Sequence, residues 1–479
     1  MILILGAGAL LATPAKQREP IPPGRVVVTY WEKWTGREGD QLKQIVDWFN
    51  ATDGKEKNIW VNLISISSID QKTITATSAG VPPDVAGLWQ AQLVQFAAMN
   101  TLEPLDEMAS AHGITKGYYK PVYWDMCNYD GHLYCLVSTP GIVALHWNKQ
   151  AFLDRAKELR AAGLDPLRAP RTIDEFNHYA DALNVWNKPK DQGGRIIKAG
   201  YLVPEPGWYV PVTPVWWGAE FYDAKTRKLT FTTPRFVAAF AWMARFSQVM
   251  GVSAMLDFRS GLPQLNTFDS PQNPFLSGLI AMEQQGPWMA NYIEKDAPQL
   301  NRWKMSKEQE RTLPREQRKQ NYQWGVAAFP SAMPGMEDVS FADADILVIP
   351  RGAAHKKEAF EFISFMQRQD VMEKLCSMHC KNSPLAKVSA DFIENHPNPY
   401  IDVFEKLAAS PDARGNPQIP IWPEISAELL VTAERVYMLK QSPEQALRDA
   451  QNRLQAHLDY FYAMQDLHKK GSSSGEPGN

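Results

Sequence analysis

The sequence predicts an α/β protein with a largely parallel sheet, divided into two lobes. Strand-like and helix-like segments alternate along the chain from residue 25 onward. With 479 residues the chain is longer than a single hydrophobic core usually supports, so a second lobe is expected. The composition, 44% hydrophobic and 22% charged, is typical of a globular protein.

The alternation is clearest in the first part of the chain. The β-branched segment 25–30 predicts a strand. Residues 40–50 place apolar side chains at helical spacing, which predicts a helix. Next come a second strand, a polar helix, a short buried strand and another helix, over residues 60–66, 68–79, 83–89 and 91–99.

The later elements are predicted from boundary residues and periodicity. Thr172 has the position of an N-cap, with Glu175 completing a capping box. Ser442 begins the last helix as an N-cap, followed by proline and an acidic residue. Strand-like runs over 133–147 are interrupted at Pro140-Gly141. The other predicted helices cover 151–162, 233–249 and 355–367, and the other strands cover 323–329 and 346–349.

Charge and the two ends of the chain indicate where the protein works. Fifty basic and 53 acidic residues give a net charge of −3, which argues against nucleic acid or an anionic membrane as the main partner. Residues 1–12 form an apolar run that is too short to span a bilayer. It is similar to the apolar region of a secretory signal, although the usual basic start is missing, and cleavage would follow Ala15.

We therefore expect export to the periplasm or another extracytoplasmic location. An uncleaved leader would act as a membrane anchor, although it is short for that role. Residues 1–24 are assigned to the leader and a linker, and residues 471–479 are expected to be a disordered tail.

Four cysteines form two close pairs, Cys127/Cys135 and Cys376/Cys380. Their even number and the expected export both permit disulfides. A hairpin-type turn separates the first pair, which is compatible with a cross-strand bridge, and the sequence leaves open whether either pair is oxidised. His379 lies between the second pair, but further metal ligands are missing nearby in sequence, so neither a metal site nor a cofactor is predicted.

Tryptophan is the most unusual part of the composition. The chain has sixteen tryptophans, and seven of them fall in five short clusters beside glycine, proline or a carboxylate. Such rings suit stacking on a sugar while polar groups pair with its edges; alternatively, each ring fills a gap in the core. Trp31, Glu32, Trp34 and Trp89 lie at the predicted carboxyl ends of strands, where ligands of open α/β sheets bind.

Short motifs also occur in a characteristic order over residues 25 to about 460. They are YWEKW (30–34), GVPPDV (80–85), DGHLY (130–134) with WNK (147–149), RTIDEF (171–176), FLSGLIAM (275–282), GPW (286–288), WGV with FP (324–330) and SPEQAL (442–447). Together they resemble the extracellular solute-binding family that includes the maltose/maltodextrin-binding protein, the receptor component of ABC sugar importers.

The resemblance implies a type II periplasmic-binding-protein fold, in which each lobe has a mixed, mainly parallel sheet flanked by helices. The ligand would lie in a cleft that closes by hinge motion. By motif position, lobe one takes about 25–138 plus 330–385, and lobe two about 139–329 plus 386–470. The implied partners are a sugar or oligosaccharide and the permease subunits of an ABC transporter. A monomer without enzymatic activity is expected.

The resemblance also implies ligand contacts. The family's cleft tryptophan corresponds to Trp89, its Gly-Pro-Trp motif to Trp288, and its Glu-Pro segment to Glu205 and Trp208. The polar turn after the first strand corresponds to residues 31–34.

Two departures from the family suggest a sugar other than maltose. Gln90 begins the stretch where the maltose-binding protein has a charged pair that clamps hydroxyls, and Trp216-Trp217 is additional. Asp345 either contacts hydroxyls or caps a turn, and Trp422 either closes the cleft or packs in the core. The full candidate set is Trp31, Glu32, Trp34, Trp89, Gln90, Glu205, Trp208, Trp216, Trp217, Trp288, Asp345 and Trp422.

Two other functions remain open. Glu32 and Glu205 beside aromatic platforms also describe a glycosidase, in which one carboxyl is the acid and the other the nucleophile or base. The same fold also binds non-sugar solutes such as polyamines, peptides or metal ions, because a fold does not determine its ligand. The sequence contains no Ser-His-Asp order, phosphate loop or dinucleotide fingerprint, and the resemblance favours binding without chemistry.

Overall fold

The computed structural model describes residues 21–262, 270–301 and 305–473. The signal-like run 1–12 and the end of the predicted tail, 474–479, lie outside the described residues. The last helix continues to Ser473, so the start of the expected disordered tail is helical. Within the described ranges, no helix is both long and apolar enough to cross a bilayer.

Strands and helices alternate through much of the chain, as predicted. The strands are β1 Val26–Glu32, β2 Ile59–Ser65, β3 Val85–Trp89, β4 Asn128–Tyr129, β5 His132–Leu133, β6 Leu136–Ile142, β7 Ala144–Asn148, β8 Val185–Trp186, β9 Ile196–Lys198, β10 Tyr222–Asp223, β11 Lys228–Leu229, β12 Met282–Gln285, β13 Trp324–Ala327, β14 Ser340–Val348 and β15 Ala413–Arg414.

The helices surround the sheets. They are α1 Gly36–Ala51, α2 Asp53–Glu56, α3 Ile69–Ser78, α4 Leu93–Ala98, α5 Asp106–Ala111, α6 Pro121–Asp125, α7 Lys149–Asp154, α8 Ala156–Ala161, α9 Ile173–Ala182, α10 Pro234–Met250, α11 Val252–Ser260, α12 Met289–Asp296, α13 Pro298–Asn301, α14 Lys307–Arg311, α15 Arg315–Arg318, α16 Lys356–Met366, α17 Gln369–Met378, α18 Ala390–Asn395, α19 Ile401–Ala409, α20 Trp422–Tyr437 and α21 Pro443–Ser473.

The larger sheet is mixed and centres on β14. Its strand order is β15–β14–β3–β1–β2, and β6 also pairs with β14. The pairs β1/β2, β1/β3 and β14/β15 are parallel, whereas β14 runs antiparallel to β3 and β6. The register places Asp345 of β14 opposite both Trp89 of β3 and Thr139 of β6. The carboxyl end of β3 and the middle of β14 therefore meet at one place.

The second sheet contains β12, β7 and β13 and is antiparallel throughout its described strands. We expected a mainly parallel sheet in each lobe, and this sheet differs. Long, mainly helical segments separate β7 from β12 and β13 in the sequence. The alternation of strands and helices along the chain does not determine whether strands so far apart pair parallel or antiparallel. Since β7 follows β6 directly, the chain passes straight from one sheet to the other.

The buried apolar side chains form two hydrophobic cores, and the second sheet contributes to both of them. Tyr30 and Phe362 belong to the first core, and Phe176 belongs to the second. The strand β14 crosses between them, because Phe341 lies in the second core and Ala342 in the first. The lobe boundaries that we assigned from motif position stay a prediction.

Local features explain some element boundaries. The N-cap at Thr172 is confirmed, since its side-chain oxygen accepts a hydrogen bond from the Glu175 amide at 3.1 Å. The predicted capping box is not completed, because the Glu175 carboxylate binds Arg168 and the Arg171 amide and not the Thr172 amide. The predicted interruption at Pro140-Gly141 is wrong, because β6 continues through it. The described sheet pairs β6 only with β14, and such an edge position tolerates proline.

The question left open for Cys127 and Cys135 is answered by the structure, in which both are free cysteines. The hairpin register places Tyr134 opposite Cys127, and the Tyr134 amide donates to the Cys127 carbonyl at 3.0 Å. Cys135 is therefore one position out of register for a bridge. In the described parts of the chain, no three His, Cys, Asp or Glu side chains come together to hold a metal ion.

Candidate ligand-binding site

A cavity of about 600 Å³ opens where β14 passes between the two cores. Its volume is within the usual range for small-molecule sites. Its walls combine Trp34 of the first core with Tyr209 and Trp422 of the second. Most of the large side chains around it are aromatic: Trp34, Trp89, Trp208, Tyr209, Trp288, Tyr292, Phe341 and Trp422.

The indole rings differ in how far they are accessible. Trp89 and Trp208 have exposed fractions of 44% and 46%. Trp34 and Trp422 are buried, with exposed fractions of 8% and 2%. Trp89 and Trp208 therefore present accessible faces to an amphipathic ligand, whereas Trp34 and Trp422 belong mainly to the packed wall of the cavity.

Two glycines make room for Trp288. A Cβ atom at Gly286 would lie 2.2 Å from the Trp288 ring, and one at Gly141 would lie 2.8 Å from it. Any side chain at either position would displace the indole. The Asn398 side-chain amide donates to the Pro287 carbonyl at 2.9 Å and so holds the Gly-Pro-Trp segment in place.

Asp345 is the electrostatic centre of the cavity wall. Its carboxylate accepts from Lys33 Nζ at 2.9 Å, from Lys381 Nζ at 3.0 Å and from Thr139 Oγ1 at 2.9 Å. Burial alone would raise the pKa of Asp345, but the two ammonium groups outweigh burial and hold that pKa well below its usual range. Asp345 is therefore an ionised and well-paired carboxylate.

Glu32 supports Lys33 from behind the wall. It is buried, and it accepts from Tyr30 OH at 2.6 Å, from the Lys33 amide at 2.7 Å and from Lys33 Nζ at 3.2 Å. A Cβ at position 87 would lie 2.0 Å from its carboxylate, so Gly87 is required for this fit. Burial raises the pKa of Glu32 although the neighbouring Lys33 opposes the shift.

Asn416 connects three parts of the site. Its Nδ2 donates to Gln90 Oε1 at 2.8 Å and to Asp343 Oδ1 at 3.3 Å. Its Oδ1 accepts from Trp422 Nε1 at 2.8 Å, which fixes the orientation of that indole. Gln90 is held in turn by a 2.9 Å bond to the Met126 carbonyl. Burial raises the pKa of Asp343 to about 6.

The structure brings half of the sequence candidates to the cavity and leaves the others elsewhere. Glu32 and Gln90 lie behind its wall, where they hold Lys33 and Asn416. Trp31 is partly buried against the first core. The candidates that line the cavity are Trp34, Trp89, Trp208, Trp288, Asp345 and Trp422.

Trp216 and Trp217 lie in the second core. The Trp216 indole nitrogen donates to the Val339 carbonyl at 3.1 Å, and its ring centroid lies 5.3 Å from that of Phe329. The Trp217 centroid lies 5.1 Å from that of Trp242. These contacts account for both indoles without a ligand.

Glu205 is partly buried and is not among the residues that line the cavity. Burial raises its pKa, while Arg259 acts in the opposite direction. Glu205 in turn contributes to raising the pKa of the buried Glu283, for which burial is the larger cause.

The sequence analysis missed several polar residues of the site. Asp343 had a usable signal, because it is two positions from Asp345 on a strand and so shares its face. Lys381 and Asn416 had none, since each meets its partners only through contacts between distant segments. The other missed polar residues that line the cavity are Glu38, Thr139 and Ser426.

A separate cavity of about 450 Å³ differs in character. Arg315 in its wall is bonded to Asp402 and to the Asn398 and Pro399 carbonyls, and Arg318 is bonded to Glu394. Tyr322 contributes a ring, but no tryptophan lines this cavity in the described structure. The larger cavity is therefore the better candidate for a ligand.

Comparison with known proteins identifies the family. The family model for bacterial extracellular solute-binding proteins matches residues 44–399. A protein of Brucella abortus strain 2308, described as a binding protein, is 24% identical over 440 residues, which cover 91% of this chain and 93% of the relative. A binding protein of Brucella suis biovar 1 matches to the same extent.

Solved structures show the same fold. CpMnBP1 with mannobiose bound has a TM-score of 0.70 and 23% identity, covering 89% of this chain and 99% of its own. The cyclic α-maltosyl-1,6-maltose binding protein from Arthrobacter globiformis has a TM-score of 0.68 and 19% identity, covering 91% and 99%. The sugar-binding protein MalE from Xanthomonas citri has a TM-score of 0.69 and 19% identity, covering 94% and 100%.

The predicted two-lobe α/β fold is thereby confirmed. Because the family model spans most of the chain, the protein belongs to the bacterial extracellular solute-binding protein family.

Proposed function

We propose that this protein is the exported substrate-binding component of an ABC importer and captures a sugar or oligosaccharide in the cavity beside β14. The observation that carries the proposal is the combination of many aromatic rings with a few polar groups in one cavity of about 600 Å³. A sugar has apolar C–H faces and a polar edge, so a site that holds it needs both kinds of surface.

We assign stacking to the indoles that line the cavity and polar contacts to its carboxylates. Trp89 and Trp208 have accessible ring faces, and the Trp288 ring packs against Gly141 and Gly286. Asp345 is the sequence candidate for hydroxyl contacts. Glu32 and Gln90 act indirectly, since they position Lys33 and Asn416.

Closure around the ligand would use the segments that run between the cores. The chain passes directly from β6 to β7, and β14 contributes to both cores. Rotation about these crossings would bring Tyr209 and Trp422 towards Trp34 and Trp89, as in other proteins that close by a hinge.

The ligands of similar structures support the sugar class. Structures of CpMnBP1 contain mannobiose or mannotriose, and the similar protein from Arthrobacter globiformis binds cyclic α-maltosyl-1,6-maltose. The sequence departs from the maltose-binding pattern, so the proposal names the class of ligand without naming one sugar.

A glycosidase is the weaker alternative. A glycosidase needs two carboxyl groups that face the same bound sugar. Glu32 is buried beside Tyr30 and Lys33, and Glu205 interacts electrostatically with Arg259. Neither of the two glutamates lines the cavity. Family membership likewise supports binding without catalysis.

The test is isothermal titration of the chain from Lys16 against mono- and oligosaccharides, with recovery of each sugar afterwards. Micromolar or tighter binding of a sugar that is recovered intact is expected. Cleaved sugar would favour the glycosidase, and binding of only non-sugar solutes would overturn the sugar assignment.

A matched pair of variants locates the binding. Trp89→Ala should weaken it, whereas Tyr460→Ala, at an exposed ring on α21, should leave it unchanged. Equal effects of the two substitutions would place the ligand outside the cavity.

The transporter partner needs its own test. The liganded protein should stimulate ATP hydrolysis by the reconstituted permease and ATPase of its importer, and the Trp89→Ala variant should not do so at the same sugar concentration. Export is tested by fractionating cells and sequencing the N-terminus of the extracytoplasmic form, with a start after Ala15 as the expected result.

A further inference from the structure

The cavity and its supporting wall hold more carboxyl groups than ammonium groups. Glu32 and Asp345 are matched by Lys33 and Lys381. Glu38 and Asp343 also line the cavity. Within the described residues, neither of these two carboxyl groups forms an ion pair with a lysine, arginine or histidine at 4.0 Å or less.

Within the part of the chain that the structure describes, Asp343 has polar partners but no counter-charge. Its Oδ1 accepts from the Ala344 amide at 2.8 Å and from Asn416 Nδ2 at 3.3 Å. Both donors are neutral, so they stabilise the ionised carboxylate less than an ammonium group would. The neighbouring Asp345 adds repulsion, although Lys33 and Lys381 reduce it.

Glu38 is in a comparable position. It lies in the first turn of α1 and lines the cavity, and within the described residues its carboxyl group forms no hydrogen bond or ion pair. Burial raises the pKa of its carboxyl group despite the more distant Lys381, and Asp345 adds to this rise. Both carboxyl groups therefore hold charge at a cost that a positively charged ligand would remove.

The aromatic walls are also compatible with an ammonium group. Lys33 Nζ lies 5.1 Å from the centroid of Trp89 and 5.2 Å from that of Trp34. Lys381 Nζ lies 5.4 Å from the centroid of Trp288 and 5.5 Å from that of Trp34. At such distances an indole ring attracts a cation. The site already combines indole, carboxylate and ammonium in this way.

The two lysines are not available to bind an acidic sugar, because both ammonium groups already contact carboxylates of the protein. Lys33 Nζ contacts both Glu32 and Asp345 and lies 3.4 Å from the Gly87 carbonyl. Lys381 Nζ contacts Asp345 and Thr139. A ligand carboxylate would have to compete with these partners, and it would add to the negative charge of Glu38 and Asp343.

We propose that the natural ligand is a sugar that carries a protonated amine, such as an amino sugar or an oligosaccharide that contains one, and that the Asp343 carboxylate pairs with its ammonium group. This inference rests on the proposed sugar-binding function. Glu38 adds negative potential, and the indoles stack on the sugar ring and border the ammonium group.

The test compares matched neutral and basic sugars by titration calorimetry. The probes are β-1,4-linked dimers of glucosamine and of mannosamine, their N-acetylated forms, cellobiose and mannobiose, together with digalacturonic acid and spermidine. At pH 6 and low salt, we expect an amine-bearing dimer to bind at least tenfold more tightly than its N-acetylated and hydroxyl counterparts.

Two variants examine the assigned contact. Asp343→Asn should abolish the preference for the amine, measured as the ratio of the affinities for the basic and the neutral dimer in the same variant, and Glu38→Gln should reduce that ratio by less. Wild-type protein should also release protons when the basic dimer binds near pH 6, because the ammonium group lowers the pKa of Asp343. This release, measured in buffers with different ionisation enthalpies, should disappear in Asp343→Asn.

The possible failures are distinguishable. Equal binding of neutral and basic sugars, or a preference for digalacturonic acid, would overturn this inference and leave the proposed sugar-binding function intact. If spermidine binds and no sugar in the panel does, both the sugar-binding function and the amino-sugar ligand are overturned. The ligand would then be a polyamine, whose ammonium groups have the same chemistry. If no sugar in the panel gives a measurable binding signal, both proposals are likewise overturned.

Discussion

Asp345 and Trp89 lie directly opposite each other in the antiparallel pairing of β14 and β3. One residue carries the most strongly paired carboxylate of the cavity, and the other carries an exposed indole beside it. The register of two strands that are distant in sequence thus joins a polar contact to a stacking surface. This pairing is the structural basis of the first two predictions.

The first prediction separates binding from stability at two tryptophans. Trp89→Ala should weaken sugar binding by about 2 kcal/mol or more, roughly 30-fold, as expected for a central aromatic contact. It should hardly change the melting temperature, because the ring is 44% exposed. Trp216→Ala should instead lower the free energy of unfolding by about 3–5 kcal/mol, since it empties a core position. Calorimetric titration and chemical denaturation measure the two effects, and a Trp216→Ala variant of unchanged stability would contradict the core assignment.

The second prediction concerns the ion pairs of Asp345. Asp345→Asn leaves Lys33 and Lys381 without their shared carboxylate, so the protein should lose about 3–5 kcal/mol of stability. Asp47→Asn removes an exposed pair with Lys43 on α1 and should cost less than about 1 kcal/mol. Urea denaturation of both variants provides the comparison. Equal losses would show that the network around Asp345 is no stronger than a surface pair.

The third prediction follows from the pKa of Asp343. That pKa is about 6 in the folded protein and about 3.9 in an unfolded chain. A raised carboxyl pKa means that the folded state binds the proton more tightly, so stability is lost as the pH rises from about 4 through 6. The loss should amount to about 2–3 kcal/mol.

An isosteric variant isolates this effect. Asp343→Asn cannot ionise, so its melting temperature relative to wild type should increase between pH 4 and pH 7.5. Measurements at both pH values in the absence of ligand are sufficient. A difference that stays constant over this range would contradict the raised pKa. The lowered pKa of Asp345 acts in the opposite sense, but it is common to both proteins and cancels in the comparison.

The fourth prediction tests the glycine support of Trp288. Gly286→Ala should push the indole out of position, because the new Cβ would lie 2.2 Å from it. Sugar affinity should fall by about tenfold or more, equivalent to at least about 1.4 kcal/mol. Gly117→Ala, which adds a Cβ with nothing within 4 Å, is the matched control and should bind normally. Titration calorimetry and tryptophan fluorescence check the pair, and an unchanged affinity in Gly286→Ala would remove Trp288 from the proposed contacts.

Local patterns in the sequence were sufficient for much of the fold. The β-branched run at 25–30 and the apolar spacing of 40–50 correspond to β1 and α1, and the N-cap at Thr172 was correct. These features depend on neighbours within a few residues, since side-chain periodicity and capping are local properties. The short motifs were sufficient to predict the family, which the family model confirms, because they occur in order over nearly the whole chain.

Composition alone could not separate the tryptophans that line the cavity from those that pack in the core. Trp89 and Trp208 are exposed at the cavity, whereas Trp216 and Trp217 are enclosed by Phe329 and Trp242. All four stand in aromatic clusters of the sequence. The packing of distant segments decides the solvent exposure of each ring, and a local pattern contains no information about that packing.

The polar framework of the cavity depends even more on tertiary structure. The sequence by itself determined the alternating α/β elements, the family and the expectation of an aromatic site. Tertiary structure alone decided that Lys381 meets Asp345 and that Asn416 joins Gln90 to Trp422. The physical reason is that hydrogen bonds and ion pairs require separations of a few ångströms, and only the complete packing of both cores sets those separations for residues far apart in the chain.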